Sequence, residues 1–204
     1  MSLLLSPMAK NSSAGFYNGV ATQSLRTDAL TTKNVSRTPG SESNKRTFTF
    51  STWFKRSEID HVAPHTVHQL FSAQVDGNDY FAIYFQDDFK LYVQDYHTSE
   101  GMTVVPNRLF RDTSAWYHLV VAIDTTQGTN TNRVKIYVNG VQETSFATAT
   151  YPSQNYDFTG INSTEVHNVS YSDSEHNGYL CETVFIDGTQ YAASDFGEFD
   201  EDSS

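Results

Sequence analysis

The segment Thr47–Arg56, TFTFSTWFKR, constrains the fold most, because its side chains alternate with a period of two. In a strand this period places Phe48, Phe50 and Phe54 on one face, and Trp53 with polar residues on the other. Similar segments recur between Gly, Asn and Asp residues: VHQLFSAQV, YFAIYFQ, FKLYVQDY, WYHLVVAID, RVKIYVN, VQETSF and GYLCETVFID. The pattern predicts an all-β antiparallel sandwich.

Two turns are specified by their residues. Asn139-Gly140 lies between alternating segments, and both residues tolerate the positive φ of a type I′ hairpin. Asp87-Asp88 predicts a second tight turn, between YFAIYFQ and FKLYVQDY. The connections DTTQGTNTN and TYPSQNYDFTGINSTEVHNVSYSDSEHN are much longer, and loops of that length are often functional.

The charge balance argues against one class of partner. The chain has 13 Lys plus Arg against 24 Asp plus Glu, a net charge of −11, and no basic cluster is longer than Lys45-Arg46. Phosphate backbones are repelled by such a surface, so we expect no nucleic-acid partner. No apolar run has the length of a membrane span. The single cysteine, Cys181, forbids an internal disulfide and is interpreted as a small buried apolar side chain.

The distribution of strands predicts three parts. Residues 1–46 are polar, contain one strand-like stretch, QSLRTDAL, and are interpreted as an N-terminal attachment segment. Residues 47–200 carry the other predicted strands and form the sandwich domain. Residues 201–204 are an acidic end, after which a longer polypeptide could continue.

Four segments, read in order, resemble one family: TFTFSTWFKRS, LFSA, WYHLVVAIDTTQGTNTNRVKIYVNGVQ and GYLCETVFIDG. They are similar to the laminin G-like branch of the concanavalin A-like lectin and glucanase domains, and the likeness covers roughly residues 47–200. The resemblance implies an antiparallel jelly-roll sandwich.

The closing segment FIDGTQYAASDFGEFDE adds a local prediction and a further resemblance. Ser194 or Asp195 could cap a short C-terminal helical turn, with Phe196 and Phe199 docked on the sandwich. The segment is also similar to the end of laminin G-like domains in virion proteins of marine bacteriophages, tail fibres among them.

The resemblance implies a non-enzymatic structural module of a phage virion, in a tail fibre or other appendage, with host-surface carbohydrate as a further ligand. Expected partners are other virion proteins and further copies of the chain, as a trimer in a fibre. The expected location is the virion, assembled in the host cytoplasm. A free-standing calcium-dependent lectin or adhesin stays an alternative.

A degenerate glucanase is a remote alternative. Glu58 and Asp60 match the start of an E-x-D-x-x-E or E-x-D-x-E stretch, but Val62 and Ala63 occupy the positions of its final carboxylate. No nucleophile–base pair or phosphate-binding loop accompanies them, so we expect no enzyme. The run of His61, His65 and His68 is interpreted as a polar loop rather than a metal site.

Loop aromatics are the candidate residues for carbohydrate or partner binding: Tyr151, Tyr156, Phe158 and Tyr171. A loop buries few rings, and amphipathic rings bind glycans and partners well. The alternative is that they pack the long loop onto a sheet. Trp53, Trp116 and Tyr117 stand in predicted strands and are interpreted as packing residues.

Calcium is the one candidate cofactor, since laminin G-like domains often bind it at the rim. The candidate ligands are the hard oxygen donors Asp124, Asn130, Asn132 and Asp173, with Asp157, Asn162 and Glu175 nearby in the loops. Ordinary turn chemistry is the alternative role of these residues. Alternation also predicts that Glu182 shares a strand face with Leu180 and Val184.

Overall fold

A computed structural model describes residues 16–17, 23–27, 35–59, 67–98, 101–171 and 176–199. In these residues the chain is built from strands and two 3₁₀ turns, Asn130–Asn132 and Ala193–Asp195, which confirms the all-β prediction. The strands are β1 (Phe16–Tyr17), β2 (Leu25–Thr27), β3 (Val35–Arg37), β4 (Thr47–Arg56), β5 (His68–Asp76), β6 (Asp79–Phe85), β7 (Leu91–Tyr96), β8 (Met102–Pro106), β9 (Tyr117–Asp124), β10 (Val134–Val138), β11 (Val141–Gln142), β12 (Phe146–Thr150), β13 (His167–Val169), β14 (Gly178–Asp187) and β15 (Glu198–Phe199).

Two antiparallel sheets form the sandwich. One has six strands in the order β11-β10-β9-β4-β14-β2, and the other has seven in the order β12-β8-β7-β6-β5-β13-β3. The short strands β1 and β15 pair separately. This architecture confirms the expected jelly-roll sandwich.

The core lies between the two sheets and is rich in phenylalanine. Phe48, Phe50 and Phe54 of β4 are fully buried, as the alternation of that segment predicts. Phe48 meets Phe81 of the opposite sheet with ring centroids 5.4 Å apart, and Phe54 meets Phe85 at 5.2 Å. Such aromatic pairs add about 0.5–1.5 kcal/mol each beyond the burial of their area.

The C-terminal segment covers the outer face of the six-stranded sheet. The Thr49 hydroxyl accepts a hydrogen bond from the Tyr191 amide at 2.9 Å, and Phe196 lies 6.2 Å from the ring of His118. Phe196 therefore docks on the sandwich as predicted. Phe199 is 45% exposed where β15 pairs with β1, and its docking on the sandwich stays a prediction.

The predicted C-terminal helical turn is confirmed as the 3₁₀ turn Ala193–Asp195. The Asp195 carboxylate accepts a hydrogen bond from the Ala192 amide at 2.8 Å, which satisfies one of the amides that the turn leaves free. Ala193 is buried beside Val120 and Ala122 of β9. This small second cluster fixes the end of the chain on the sheet.

The predicted face of Glu182 is wrong, because β14 contains a β-bulge. Cys181 pairs with Trp53 and Val184 pairs with Ser51, so one extra residue stands on the β14 side. Glu182 itself has φ +47°. The extra residue reverses the alternation beyond it, so Phe185, and not Val184, packs on the core.

Both predicted turns are present. Asn139 and Gly140 have φ +49° and +80° between β10 and β11, as a type I′ turn requires. Asp87 and Asp88 lie in the turn between β6 and β7.

The N-terminal segment contributes more strands than predicted. The sequence predicts one strand before residue 46, whereas residues 16–17, 23–27 and 35–46, the described part of that segment, contain three. β2 is the edge strand of the six-stranded sheet, and β3 is the edge strand of the seven-stranded sheet. The proposed role of this segment in attachment stays a prediction.

Among the described residues no helix is long and apolar enough to cross a membrane.

Candidate functional site

Four tyrosines from two neighbouring strands form a layer on the outer face of the seven-stranded sheet. Tyr80 and Tyr84 belong to β6, and Tyr92 and Tyr96 belong to β7. Alternation turns Phe81, Ile83 and Phe85 of β6 into the core and so turns the tyrosines of that strand outward. We call these four residues the tyrosine platform.

The register of the hairpin arranges the platform as two pairs. Tyr80 lies opposite Tyr96, and Tyr84 lies opposite Tyr92. The rings stack across the strands, with centroids 5.4 Å apart in the first pair and 5.3 Å in the second. Because the pairs are four residues apart along the strands, their backbones are separated by about 13 Å.

Gln94 joins the two pairs. Its side-chain oxygen accepts a hydrogen bond from the Tyr84 hydroxyl at 2.8 Å and from the Tyr80 hydroxyl at 3.3 Å. The two rings thus lean toward each other over Ala82, which is fully buried although it faces outward. The hydrogen bonds fix the orientation of the aromatic rings before any ligand arrives.

Three of the platform hydroxyls, those of Tyr80, Tyr84 and Tyr92, are uncharged at physiological pH. Burial raises the pKa of the Tyr80, Tyr84 and Tyr92 hydroxyls above the ordinary value for tyrosine. The Tyr92 hydroxyl donates a hydrogen bond to Asp88, whose carboxylate also pairs with Lys90 at 3.0 Å. Tyr96 is the most accessible ring, with 44% of the residue exposed.

An uncharged polar row crosses the sheet through the middle of the platform. Strand register aligns, from edge to edge, Ser36, Asn168, Ser72, Ala82, Gln94, Thr103 and Thr150. Ser72 is 3% exposed, and its hydroxyl has no hydrogen-bond partner within the described ranges. Asn168, Ser72 and Ala82 are buried, so Gln94, Thr103 and Thr150 are the members near the platform that offer hydroxyl and amide groups, and the row contains no charged side chain.

This combination suits a ligand that has apolar faces and many hydroxyl groups. Preoriented aromatic rings can stack on the C–H faces of a sugar ring, and amides and hydroxyls can bind its hydroxyls. The platform holds no nucleophile with an adjacent base.

The predicted binding residues of the long loop pack onto the sandwich to different degrees. Phe158 is fully buried and lies 5.5 Å from the ring of Phe81, so its predicted exposure is wrong. Tyr151 and Tyr156 are partly buried against the core, whereas Tyr171 is partly exposed. The loop turns its apolar rings inward because a buried ring stabilises the chain more than an exposed one. A binding role for the three tyrosines stays a prediction.

Tyr156 also holds a buried carboxyl group. Its hydroxyl donates a hydrogen bond of 2.6 Å to Asp95, which is 3% exposed. Burial raises the pKa of Asp95 to about 6, and the Asp79 charge adds to the rise, whereas the hydrogen bond from Tyr156 and the charge of His97 oppose it.

The predicted calcium ligands are engaged with the chain itself. Asp124 accepts hydrogen bonds from Thr47, Thr126 and Gln127, and those bonds lower its pKa against the opposing effect of burial. The Asn130 side-chain oxygen accepts from the Thr131 amide. Asn132 lies in the same 3₁₀ turn, and Asp173 falls outside the described residues.

No group of three His, Cys, Asp or Glu residues in the described part of the chain could hold a metal ion. Asp157 forms an ion pair with Arg46 at 2.7 Å. Since Asp173 and Glu175 fall outside the described residues, the calcium site stays a prediction.

Asn162 lies in a cleft of about 360 Å³ at the edge formed by β3 and β13. Its amide side chain donates to Asp187 at 2.8 Å, and its backbone amide donates to His167 Nε2 at 3.0 Å. His167 Nδ1 bonds to the Glu165 carbonyl at 2.9 Å, so the ring is neutral, and burial lowers its pKa. These bonds satisfy the polar groups of the cleft and give it a structural role.

The remaining predicted residues are dispersed. Glu58 accepts a hydrogen bond from Asn177 at 2.6 Å, whereas Asp60, His61 and His65 fall outside the described residues. His68 begins β5, as the predicted strand VHQLFSAQV implies, but it is buried, which contradicts the interpretation of the histidine run as a polar loop.

Of the predicted packing aromatics, Trp53 is partly buried against the second cluster and Tyr117 against the core. Trp116 is different, since 39% of it is exposed. Cys181 is only partly buried.

The platform is absent from the sequence-based predictions although its signal is present in the sequence. YFAIYF and LYVQDY both alternate, and the turn at Asp87-Asp88 fixes which tyrosines face each other. Pairing Tyr80 with Tyr96 across that turn would have predicted the layer, because directly opposed side chains on one face are neighbours.

The sequence of the chain matches a known family over most of its length. The laminin G-like profile of the concanavalin A-like lectin/glucanases superfamily matches residues 26–194. No curated protein sequence is significantly similar to the chain.

Similar solved structures share the fold. Domain 4 of AbnA, an extracellular arabinanase from Geobacillus stearothermophilus, solved with arabinotriose, is 17% identical; the match covers 90% of this chain and 80% of that chain, with a TM-score of 0.61. The native heptameric SAP-like pentraxin from Limulus polyphemus is 14% identical, with 84% and 76% covered and a TM-score of 0.54. Mouse laminin α1 domains LG4-5 are 11% identical, with 96% and 50% covered and a TM-score of 0.54. At these identities the likeness shows the fold.

Proposed function

Because the chain belongs to the concanavalin A-like lectin/glucanases superfamily, we propose that it is a non-enzymatic carbohydrate-binding module whose ligand lies on the tyrosine platform. The proposal rests on the two stacked tyrosine pairs, which Gln94 joins through hydrogen bonds. A similar structure, domain 4 of AbnA, was solved with arabinotriose, which supports an oligosaccharide as the class of ligand.

The charge of the site favours an uncharged glycan. The polar row contains only Ser, Thr, Asn, Gln and Ala, and the whole chain carries a net charge of −11. A polyanionic glycan would be repelled by the chain and would find no cation in this row. Segments of neutral arabinan, glucan, mannan or galactan are not repelled by the chain and need no cation for binding.

A glycan array that presents neutral and acidic oligosaccharides tests the proposal. We expect neutral oligosaccharides to bind to the full chain, with an affinity that is nearly unchanged between low and high salt because no ion pair contributes. EDTA should leave that binding unchanged, whereas loss of binding in EDTA would favour the calcium-dependent lectin. Binding to no neutral glycan would contradict the proposal.

Hydrolysis is the outcome that would favour the glucanase alternative. Product release from a β-glucan, lost in Glu58→Ala, would identify Glu58 as a catalytic carboxylate. We expect no release, because the Glu58 side chain is bound to Asn177 and Val62 and Ala63 occupy the positions of the final carboxylate.

We also propose that the module belongs to a phage virion, in a tail fibre or other appendage, where glycan binding would serve contact with the host. The resemblance of FIDGTQYAASDFGEFDE to virion proteins supports this finer proposal. Mass spectrometry of purified particles, with copy number, tests it. Absence of the chain from particles whose other structural proteins are all detected would overturn it.

Homo-oligomers are expected of such a module, with a trimer in a fibre. The Limulus polyphemus pentraxin of similar fold is heptameric, which supports assembly but not a particular number of copies. Light scattering should give a multiple of the 22.9 kDa chain mass. A monomeric mass for the full-length protein would overturn this part.

A further inference from the structure

A second set of aromatic and charged side chains lies on the other sheet. In strand register, Arg26 of β2 lies opposite Tyr179 of β14, and Tyr179 lies opposite Lys55 of β4. The ladder of β4 with β9 ends at the pair of Phe54 with Tyr117, and Lys55 and Trp116 are the next residues along the two chain segments. We call Arg26, Tyr179, Lys55 and Trp116 the cation–aromatic row.

The row faces solvent on the outer side of the six-stranded sheet. Phe54 and Leu180, the neighbours of Lys55 and Tyr179 along their strands, are buried in the core, so the row residues point away from it. Trp116 is 39% exposed, and its ring centroid is 6.4 Å from that of Tyr179, with 53° between the ring planes. The two rings therefore form an open angle rather than a closed stack.

The two cations of the row, Arg26 and Lys55, differ in the contacts that they make with neighbouring side chains. Arg26 lies over the Tyr179 ring at 5.1 Å and donates a hydrogen bond to the Tyr179 hydroxyl at 3.3 Å. Lys55 forms no ion pair within 4.0 Å in the residues that the structure describes. The Lys55 charge does help to lower the pKa of Asp112, whose carboxylate is bound mainly to Ser114.

An ammonium that contacts no carboxylate of the described ranges is notable on a chain with a net charge of −11. Lys55 stands beside a half-exposed indole, and the platform lies on the opposite sheet. An indole face can hold the C–H face of a sugar, and an ammonium one strand away can pair with an anionic substituent on that sugar. Tyr179 forms the second wall of the angle, and Arg26 holds it in place.

We propose that the cation–aromatic row is a second glycan site that binds one anionic sugar unit, with the ring on Trp116 and the carboxylate or sulfate on Lys55. The site is separate from the tyrosine platform and complementary to it in charge. The module would then hold a neutral glycan on one sheet and an acidic sugar unit on the other, and could bridge two glycan chains.

The indole N–H signals of the full chain provide the test. The chain has only two tryptophans, so a ¹⁵N–¹H spectrum shows two indole signals, which Trp116→Phe assigns. The protein is titrated with glucuronate, with glucose 6-sulfate and with uncharged glucose. We expect the Trp116 signal to shift with both anionic sugars, and glucose to bind about fivefold more weakly, as one partly exposed ion pair implies.

Substitutions separate the contribution of the Lys55 charge from that of the Trp116 ring, and the cation–aromatic row from the tyrosine platform. Lys55→Gln should abolish the preference for anionic sugars, whereas Lys135→Gln, a partly buried lysine on the same sheet, should retain it. Trp116→Ala should abolish binding at this site, and Tyr96→Ala should leave it unchanged, so failure of this proposal is distinct from failure of the platform. The stronger of the carboxylate and sulfate arms identifies the anionic group. Equal binding of all three sugars, or no shift of the Trp116 signal, would overturn the proposal.

Discussion

Replacement of Asp95 by Asn should change how the stability of the chain depends on pH. Asp95 is 3% exposed, and burial raises the pKa of its carboxyl from 3.8 to about 6, the Tyr156 hydroxyl opposing the rise through a hydrogen bond. The folded chain therefore holds this proton more tightly than the unfolded chain. Stability from this group is fully present below about pH 3.8 and is lost as the pH rises through about 6.

The size of the effect follows from the shift. One pKa unit corresponds to about 1.36 kcal/mol, so ionisation of Asp95 in the folded chain costs about 3 kcal/mol in total. About half of this loss falls between pH 5 and pH 7.5. Asn cannot ionise and can still accept the hydrogen bond from Tyr156, so Asp95→Asn should gain stability relative to the wild type as the pH rises.

Urea unfolding of both proteins at several pH values between 5 and 7.5 measures the difference. The other titratable groups are the same in both proteins, so their effects on the free energy of unfolding cancel in the difference. His118 and His176, for example, have pKa values lowered by burial to about 4 and 3 and destabilise the folded chain as the pH falls below 6.5. Asp87→Asn, in the exposed turn between β6 and β7, is the matched control. A difference between Asp95→Asn and wild type that does not change with pH, or that falls as the pH rises, would refute the burial of an ionising carboxyl.

Two substitutions test how the long loop is fixed. Phe158→Ala should lower the free energy of unfolding by about 3–5 kcal/mol, because the ring is fully buried. Tyr171→Ala, at a partly exposed ring, should lower it much less. Chemical denaturation measures both losses, and equal losses would contradict the packing of the loop. Gly160→Ala should lower the free energy of unfolding by about 1–3 kcal/mol, since its methyl group would stand 2.6 Å from the Ala73 carbonyl oxygen. Gly128→Ala, with open space around it, serves as the control. A thermal melt in which both variants unfold at the same temperature would argue against the close approach at Gly160.

Local sequence patterns predicted the long strands and both turns of this chain, but not β8, nor β13, which lies in a predicted loop, and they merged β11 with the start of β12. The alternation in Thr47–Arg56 is imposed by a sheet with one face on the core, and the burial of Phe48, Phe50 and Phe54 follows from it. The type I′ turn at Asn139 was predictable because few residue pairs accept two positive φ values.

Tertiary contacts decided what the sequence could not predict. The bulge at Glu182 reverses alternation within one strand, and no turn residue marks it. Phe158 is buried because its loop folds back over the end of the core, a placement set by distant residues such as Phe48. The tyrosine platform required the register of β6 against β7, which a single strand pattern does not contain.

The affinity of one neutral oligosaccharide for three proteins tests the central claim most directly. Isothermal titration of the best neutral array ligand should give a Kd about tenfold higher for Tyr96→Ala than for wild type, as loss of one aromatic contact implies. Phe199→Ala removes a ring of nearly equal exposure, 45% against 44%, on β15, outside the platform, and its Kd should equal the wild-type value. Equal Kd values for Tyr96→Ala and wild type, in folded proteins, would show that the glycan does not lie on the tyrosine platform.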